Sequence, residues 1–184
     1  NADGLMPFRQ NNNLLYLCGI DQEETALILF PDCKKSEFQE VLFIKKTSEL
    51  IKIWEGEKLT KQQASEVSGI KTVFWIEDFD SVIQNIITGA DYVYLSHNDH
   101  PRAKIIVESR NNRLGRDLKS KYPNKSFLES SPIINEIRSI KELAEVNTIK
   151  HACDITKSGF NRILKFIKPG LMEYNIEAEL IHEF

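Results

Sequence analysis

Two hydrophobic periods divide the chain. Up to about residue 95 the apolar positions come as short runs: Leu14–Cys18, Thr25–Phe30, Val41–Ile44, Thr72–Ile76 and Asp91–Leu95. Runs of this length bounded by Gly, Pro and Asp predict buried or half-buried strands. Gly19 closes the first run and Pro31-Asp32 the second, with six residues between the runs. A connection that short predicts an antiparallel hairpin. Between the runs lie helical patterns. Thr60 is placed to cap a helix over 61–68 that Gly69 stops. Asp78 or Asp80 is placed to cap a second, whose Val82, Ile83, Ile86 and Ile87 line one face before Gly89. Strands interleaved with helices predict an α/β fold, a mixed β-sheet flanked by helices.

Beyond Pro132 the period changes. Ile137, Ile140, Leu143/Ala144, Ile149, Ala152/Cys153, Phe160, Ile163/Leu164 and Ile167 keep helical spacing, which predicts one long helix of about thirty residues closing at Pro169-Gly170. A second helix is expected from about Glu173, with Ile176, Leu180, Ile181 and Phe184 on one side. Two such helices cannot enclose a core of their own. Residues 137–184 therefore read as the truncated opening of a larger domain, and Asn1-Ala2-Asp3 as a tag or an internal point of a longer protein.

Charge changes this picture little. The formal net charge is −3, yet residues 101–125 carry eight Lys/Arg against two Asp/Glu. Such a stretch could be an anion or nucleic-acid patch. With Tyr122 as its one aromatic and no Gly-rich RNA-binding signature, it reads as a solvated helix face. No apolar run approaches the ~20 residues needed to span a bilayer. Cys18, Cys33 and Cys153 are odd in number and widely spaced, which argues against a disulfide framework and for a reducing, cytoplasmic setting. Cys18 and Cys153, set among apolar residues, are expected to be buried thiols.

The histidines are the first candidates for chemistry. His97-Asn98-Asp99-His100 packs two imidazoles and a carboxylate together, but a zinc site needs further ligands from another element, and a polar loop is expected. His151 stands three residues before Asp154 on the long helix. His182-Glu183 begins like the His-Glu of a zinc-peptidase helix, with position i+4 lying past Phe184. There is no Gly-x-Ser-x-Gly elbow, Ser-x-x-Lys, Gly-x-Gly-x-x-Gly or P-loop. No catalytic or metal-ligating residue follows from these patterns.

Three ordered segments carry a resemblance. They are Pro7-Phe8-Arg9-Gln10-Asn11-x-Asn13-x-x-Tyr16-x-x-Gly19, then Glu49-x-x-x-x-Trp54-x-Gly56-x-x-Leu59-Thr60, and a third made of several pieces. The third runs Glu136-Ile137-Arg138-x-Ile140-Lys141-x-x-x-Glu145, then Pro169-Gly170-x-x-Glu173-Tyr174 and Glu179-x-x-x-Glu183-Phe184. The set resembles the aminopeptidase P (Xaa-Pro aminopeptidase) family, whose N-terminal domain opens its second strand with the first segment. The resemblance implies a creatinase-type N-terminal domain over 1–135 and the truncated start of a pita-bread metallopeptidase domain over 136–184. A strand and helix that the family has ahead of Pro7-Phe8 find no counterpart here.

For the full-length protein, the resemblance implies release of N-terminal residues from peptides with proline second. Two divalent metals, usually manganese, would activate water there. The family's ligands (two Asp, one His, two Glu) fall past Phe184, so no metal ligand or acid/base residue is carried over, and this stretch alone is expected to bind no metal and to be inactive. His151, His182 and Glu183 match helix positions. Trp54 matches the tryptophan that walls a neighbouring subunit's active site, and Asp3 an aspartate that approaches the substrate's far end. The implied partners are Xaa-Pro peptides and further copies of the chain, with neither nucleic acid nor membrane. Alternatives are the front of a prolidase and of a non-catalytic pita-bread binding protein.

Overall fold

A computed structural model describes residues 8–48, 52–53, 55–97 and 108–184. The chain falls into two compact units, Asn1–Ser131 and Pro132–Phe184.

The first unit is built around one strand. β1 (Ala26–Leu29) pairs antiparallel with β2 (Glu40–Ile44), which pairs parallel with β3 (Thr72–Trp75). Central β2 has Val41, Leu42, Phe43 and Ile44 all fully buried. Its continuous apolar run, without alternation, follows from cover on both faces. Leu42 and Ile44 pack with Cys18, Ile20, Ala64 and Ile70, while Val41 and Phe43 pack on the other side with Val82 and Ile86. Each buried aliphatic or aromatic side chain contributes about 1.5–3 kcal/mol, so β2 is the densest source of stability in the unit.

The first apolar run is a helix, not the expected strand. α1 spans Asn12–Cys18 because Asn11 caps it, its side chain accepting from the amides of Asn13 and Leu14, and Gly19 ends it at φ 69°. The expected hairpin with Thr25–Phe30 is therefore replaced by the β1–β2 pairing. A continuous run of five apolar residues suits a short helix as well as a strand, and only its caps decide.

The other elements follow the pattern more closely. α2 (Lys61–Ser68) is capped by Thr60, whose Oγ1 accepts from the Gln63 amide while Gln63 Oε1 accepts from the Thr60 amide. Gly69 closes it at φ 75°. α3 (Phe79–Ile87) follows a 3₁₀ turn over Ile76–Asp78; Asp78 takes the cap position but makes no capping bond. Val82 and Ile86 of α3 serve one cluster, Ile83 and Ile87 another. In the second cluster Ile83 and Ile87 meet Leu118 of α4 (Arg110–Lys121), against Val93 and Leu95 of β4 (Tyr92–Leu95) and Phe127 of β5 (Ser126–Glu129). β4 and β5 pair parallel. Sequence pattern alone missed β5, whose Ser-Phe-Leu-Glu has no apolar run.

In the second unit the expected long helix is two helices. α5 (Ser131–Ser139) ends and α6 (Leu143–Phe166) begins around extended Glu142, whose amide donates to the Glu145 carboxylate at 2.9 Å. After the turn at Gly170 (φ 92°), α7 (Glu173–Glu183) returns along α6. Gly159 makes the close approach possible: a Cβ there would lie 3.1 Å from both Leu180 and Phe184 side-chain carbons.

Candidate functional site

Trp54 and Asp3 lie outside the described residues, as do Asp99 and His100 of the histidine-rich loop. The chain on the C-terminal side of Trp54 is described, and its anchoring is specific. Gly56 adopts φ 79°, a left-handed turn that favours glycine even though space for a Cβ is open. Three residues on, the Leu59 amide donates at 2.8 Å to Oε1 of Gln22, a glutamine only 5% exposed. The Leu59 side chain joins the Cys18–Ile44 cluster. Gln22 is itself held: its carbonyl accepts from Gln10 Nε2 at 2.8 Å, and that same nitrogen donates to the Ile20 carbonyl. Gln10 and Asn11 of the first segment thus close the 19–22 loop and cap α1.

Charges fix the other end of this turn. Lys45, at the end of β2, pairs with Glu55 Oε2 at 2.9 Å and lies 3.8 Å from Glu24 Oε1. Lys58 pairs with Glu23 and lies 3.8 Å from the same Glu55 oxygen. Burial opposes ionisation of Glu23, but the Lys58 ammonium and a backbone N–H outweigh it and hold the carboxyl below the usual range. Glu55 holds Lys45 above the ordinary lysine value. Sequence reasoning missed Lys45, Lys58, Gln22 and Glu23. Isolated Lys and Glu carry no motif, and their partners are supplied by distant segments.

Among the described residues the remaining candidates do not form a chemical centre. His97 Nδ1 lies 3.1 Å from Asn112 Oδ1 and its Nε2 3.5 Å from Glu129 Oε2. Burial pushes the Glu129 carboxyl up, but bonds from the Ser131 hydroxyl and amide, with His97 beside it, hold it below the usual range. His151 and Asp154 are exposed on α6. Glu183 is bound to Ser158 and lies 3.7 Å from Arg162, which pairs with Glu179 at 2.5 Å. Glu179 and Glu183 of the third segment thus clamp α7 to α6 along an open groove of about 560 Å³. Cys18 is buried as expected, its thiol donating to the Leu14 carbonyl and pushed up in pKa by burial. Cys153 is exposed, contrary to expectation, because it falls on the uncovered face of α6. Among the described residues no three His, Cys, Asp or Glu gather as a metal cradle.

On the basic stretch, Arg113 and Arg116 of α4 bind the Glu108 carbonyl and carboxylate, and Lys125 donates to the carbonyls of Thr88 and Ala90 at the end of α3. Among the described residues no helix is long and apolar enough to cross a membrane.

Comparison with known proteins gives these features a context. Residues 1–94 match the family model described as aminopeptidase P, N-terminal domain. The Xaa-Pro aminopeptidase of Escherichia coli (strain K12) is 26% identical over 185 residues, covering 100% of this chain and 42% of that protein. Its Haemophilus influenzae counterpart is also 26% identical, over 100% of this chain and 40% of its own length. Among solved structures, the low-pH form of E. coli aminopeptidase P superposes with a TM-score of 0.75 at 27% identity, covering 100% of this chain and 42% of that one. A zinc-substituted form of the same enzyme in complex with product gives 0.76 at 26%. The chain therefore spans about two-fifths of the length of the curated relatives it matches.

Proposed function

The chain belongs to the aminopeptidase P N-terminal-domain family, and from that membership we propose that it is the front part of a metal-dependent Xaa-Pro aminopeptidase. The full-length protein releases the N-terminal residue from peptides whose second residue is proline. One observation carries the reading: both units of the chain, end to end, align with the Xaa-Pro aminopeptidases of Escherichia coli and Haemophilus influenzae, although the family model itself covers only residues 1–94.

Within that reading the chain contributes no chemical step. The described residues do not fit a divalent-metal pair, since no cluster of three ligating side chains exists among them. The metal ions, manganese by family resemblance, are held by residues outside this chain. The first unit acts instead as a cover. In an oligomer, Trp54 walls the active site of a neighbouring subunit and Asp3 faces the substrate's far end. Excluding water and orienting the peptide raise the rate without direct participation in bond breaking. The exposed apolar stripe of α6 and α7 is where the rest of the catalytic domain packs. The enzyme acts in the cytoplasm.

The test uses the full-length enzyme and the 184-residue chain side by side on an Arg-Pro-headed peptide with Mn²⁺. Turnover is expected only from the former. Trp54→Ala in the full-length enzyme should lower kcat/KM by about tenfold, within the roughly 10²-fold that lost positioning can cost, with little change in Tm. Metal-dependent cleavage by the 184-residue chain would overturn the assignment of chemistry elsewhere. An unchanged kcat/KM in Trp54→Ala would remove Trp54 from the substrate wall.

A further inference from the structure

The α2 face of the three-stranded sheet is closed in its middle and bare at one end. Leu27, Leu42 and Val73 belong to the cluster that contains Ala64 of α2. Side chains on a strand return to the same face every second residue. Two residues further out along each strand stand Leu29, Glu40 and Lys71. The pairing sets Leu29 opposite Glu40, and Lys71 one step before the Val41–Thr72 pair. The three therefore form a row across the sheet. Nothing from α2 covers that row, because the helix ends at Ser68 and a Cβ on Gly69 would meet no atom within 4 Å. Leu29 is accordingly 48% exposed, and Glu40 and Lys71 are exposed beside it.

The bare row borders an open cavity of about 510 Å³, inside the ~300–1,000 Å³ range of small-molecule sites. Pro31, Ser36 and Gln39, from the connection between β1 and β2, line its other side. That connection is fixed from within. The Phe30 amide donates to the Gln39 carbonyl at 2.7 Å, the Cys33 amide to the Phe30 carbonyl at 2.9 Å, and Gln39 Nε2 to the Cys33 carbonyl at 3.1 Å. A wall held in this way needs little ordering when a ligand enters.

The charges decide what the cavity can hold. Glu40 and Lys71 stand on adjacent strands, which lie ~4.8 Å apart, yet neither takes part in an ion pair among the described residues. A ligand with a single charge would meet its like charge at one of the two. A zwitterion satisfies both, and its contacts are charge-assisted. We propose that the cavity at Leu29, Glu40 and Lys71 binds a free α-amino acid with an apolar side chain. Its ammonium donates to the Glu40 carboxylate, its carboxylate accepts from Lys71 Nζ, and its side chain covers Leu29 and Pro31. The site uses neither Trp54 nor Asp3, so it stands or falls apart from the peptidase reading.

L-leucine is the probe, titrated into the isotope-labelled 184-residue chain and followed by two-dimensional NMR. The amides of Glu40, Lys71 and Thr72 are expected to shift saturably with a Kd of about 1 mM, as an open site with two charge contacts allows. Glu40→Gln and Lys71→Met should each weaken binding about fivefold, the upper end for an exposed charge pair. Tm should not change, since both side chains are exposed. Two analogues locate the charges without altering the protein. Leucinamide lacks the carboxylate, so it should lose affinity in Glu40→Gln but not in Lys71→Met. N-acetyl-leucine lacks the ammonium and should show the reverse. No saturable shift at these amides up to about 20 mM leucine, roughly twentyfold the expected Kd, overturns the proposal. Saturable binding that both substitutions leave unchanged overturns it as well. So do shifts that sodium chloride reproduces at the same concentration, which would mean general screening. Should either variant not fold, the analogues decide on the wild-type chain, where each must bind at least about fivefold more weakly than leucine.

Discussion

In the first unit, β2 sends Val41 and Phe43 to one face and Leu42 and Ile44 to the other, and helices cover both. In the second unit, Phe160 is 59% exposed and Leu164 72%, and Gly159 is the only buried residue on α6. Both regions are regular secondary structure, but their stability comes from different sources. The first unit rests on apolar burial shared by several elements. The second is held by end caps and by one polar seam, Arg162 with Glu179 and Glu183, around the Gly159 approach. A helix pair of that kind has an apolar stripe without a role unless more protein covers it, which under the proposed function is the remainder of the catalytic domain.

Truncating one side chain in each unit separates the two sources of stability most clearly. Phe43→Ala should destabilise the 184-residue chain by about 3–5 kcal/mol, as deletion of a buried aromatic does. Leu164→Ala should stay within about 0.5 kcal/mol, as at an ordinary surface position. Denaturant melts followed by far-UV circular dichroism and by tryptophan emission report both. Under the proposed function, Leu164→Ala in the full-length protein should instead cost about 2–5 kcal/mol, because the stripe would then be covered. Equal costs for Phe43→Ala and Leu164→Ala in the 184-residue chain would erase the distinction between the units.

Glycine gives a smaller contrast. Gly56→Ala should cost about 1–2 kcal/mol through its left-handed φ, despite open space around it. Gly159→Ala gains about 1 kcal/mol of helix propensity, offset in part by displacing Leu180 and Phe184. Phe184 is exposed and free to yield, so a net gain in Tm is expected. A larger loss at Gly159 than at Gly56 would mean that the α6–α7 seam is tightly packed after all.

The smallest effect concerns pH. Glu23 is held below its ordinary pKa in the fold, so its contribution to stability is present above the unfolded value of about 4.3. It is lost as pH falls through the lower folded value. Glu23→Gln should therefore lower neutral-pH stability by the small amount that the wild type loses across the acid limb below about pH 4.3, flattening that limb and leaving stability at the lowest pH nearly unchanged, checked by Tm against pH. An unaltered acid limb would remove Glu23 from the Lys58 pair.

What the sequence determined by itself is what depends on neighbours a few residues away. Thr60, Gln63 and Gly69 specify α2 because caps and stops act within one turn, and Glu173–Glu183 is helical for similarly local reasons. Val41–Ile44 reads as a buried strand from its unbroken apolar run. The family resemblance was legible too, in the order of its segments. Leu14–Cys18 is a helix for local reasons as well, because Asn11 and Gly19 cap it, although a run too short to show a period could not distinguish it from a strand. Only tertiary structure decided the rest, which depends on distant segments. Ser126–Glu129 is a strand because β4 supplies its hydrogen bonds, not because of its own composition. Lys45, Glu55, Lys58 and Glu23 become a network only when β2, the 22–24 turn and the approach to α2 are brought together. A charge has no periodicity to reveal its partner, so the surroundings of the candidate site were fixed by folding and could not be read from spacing.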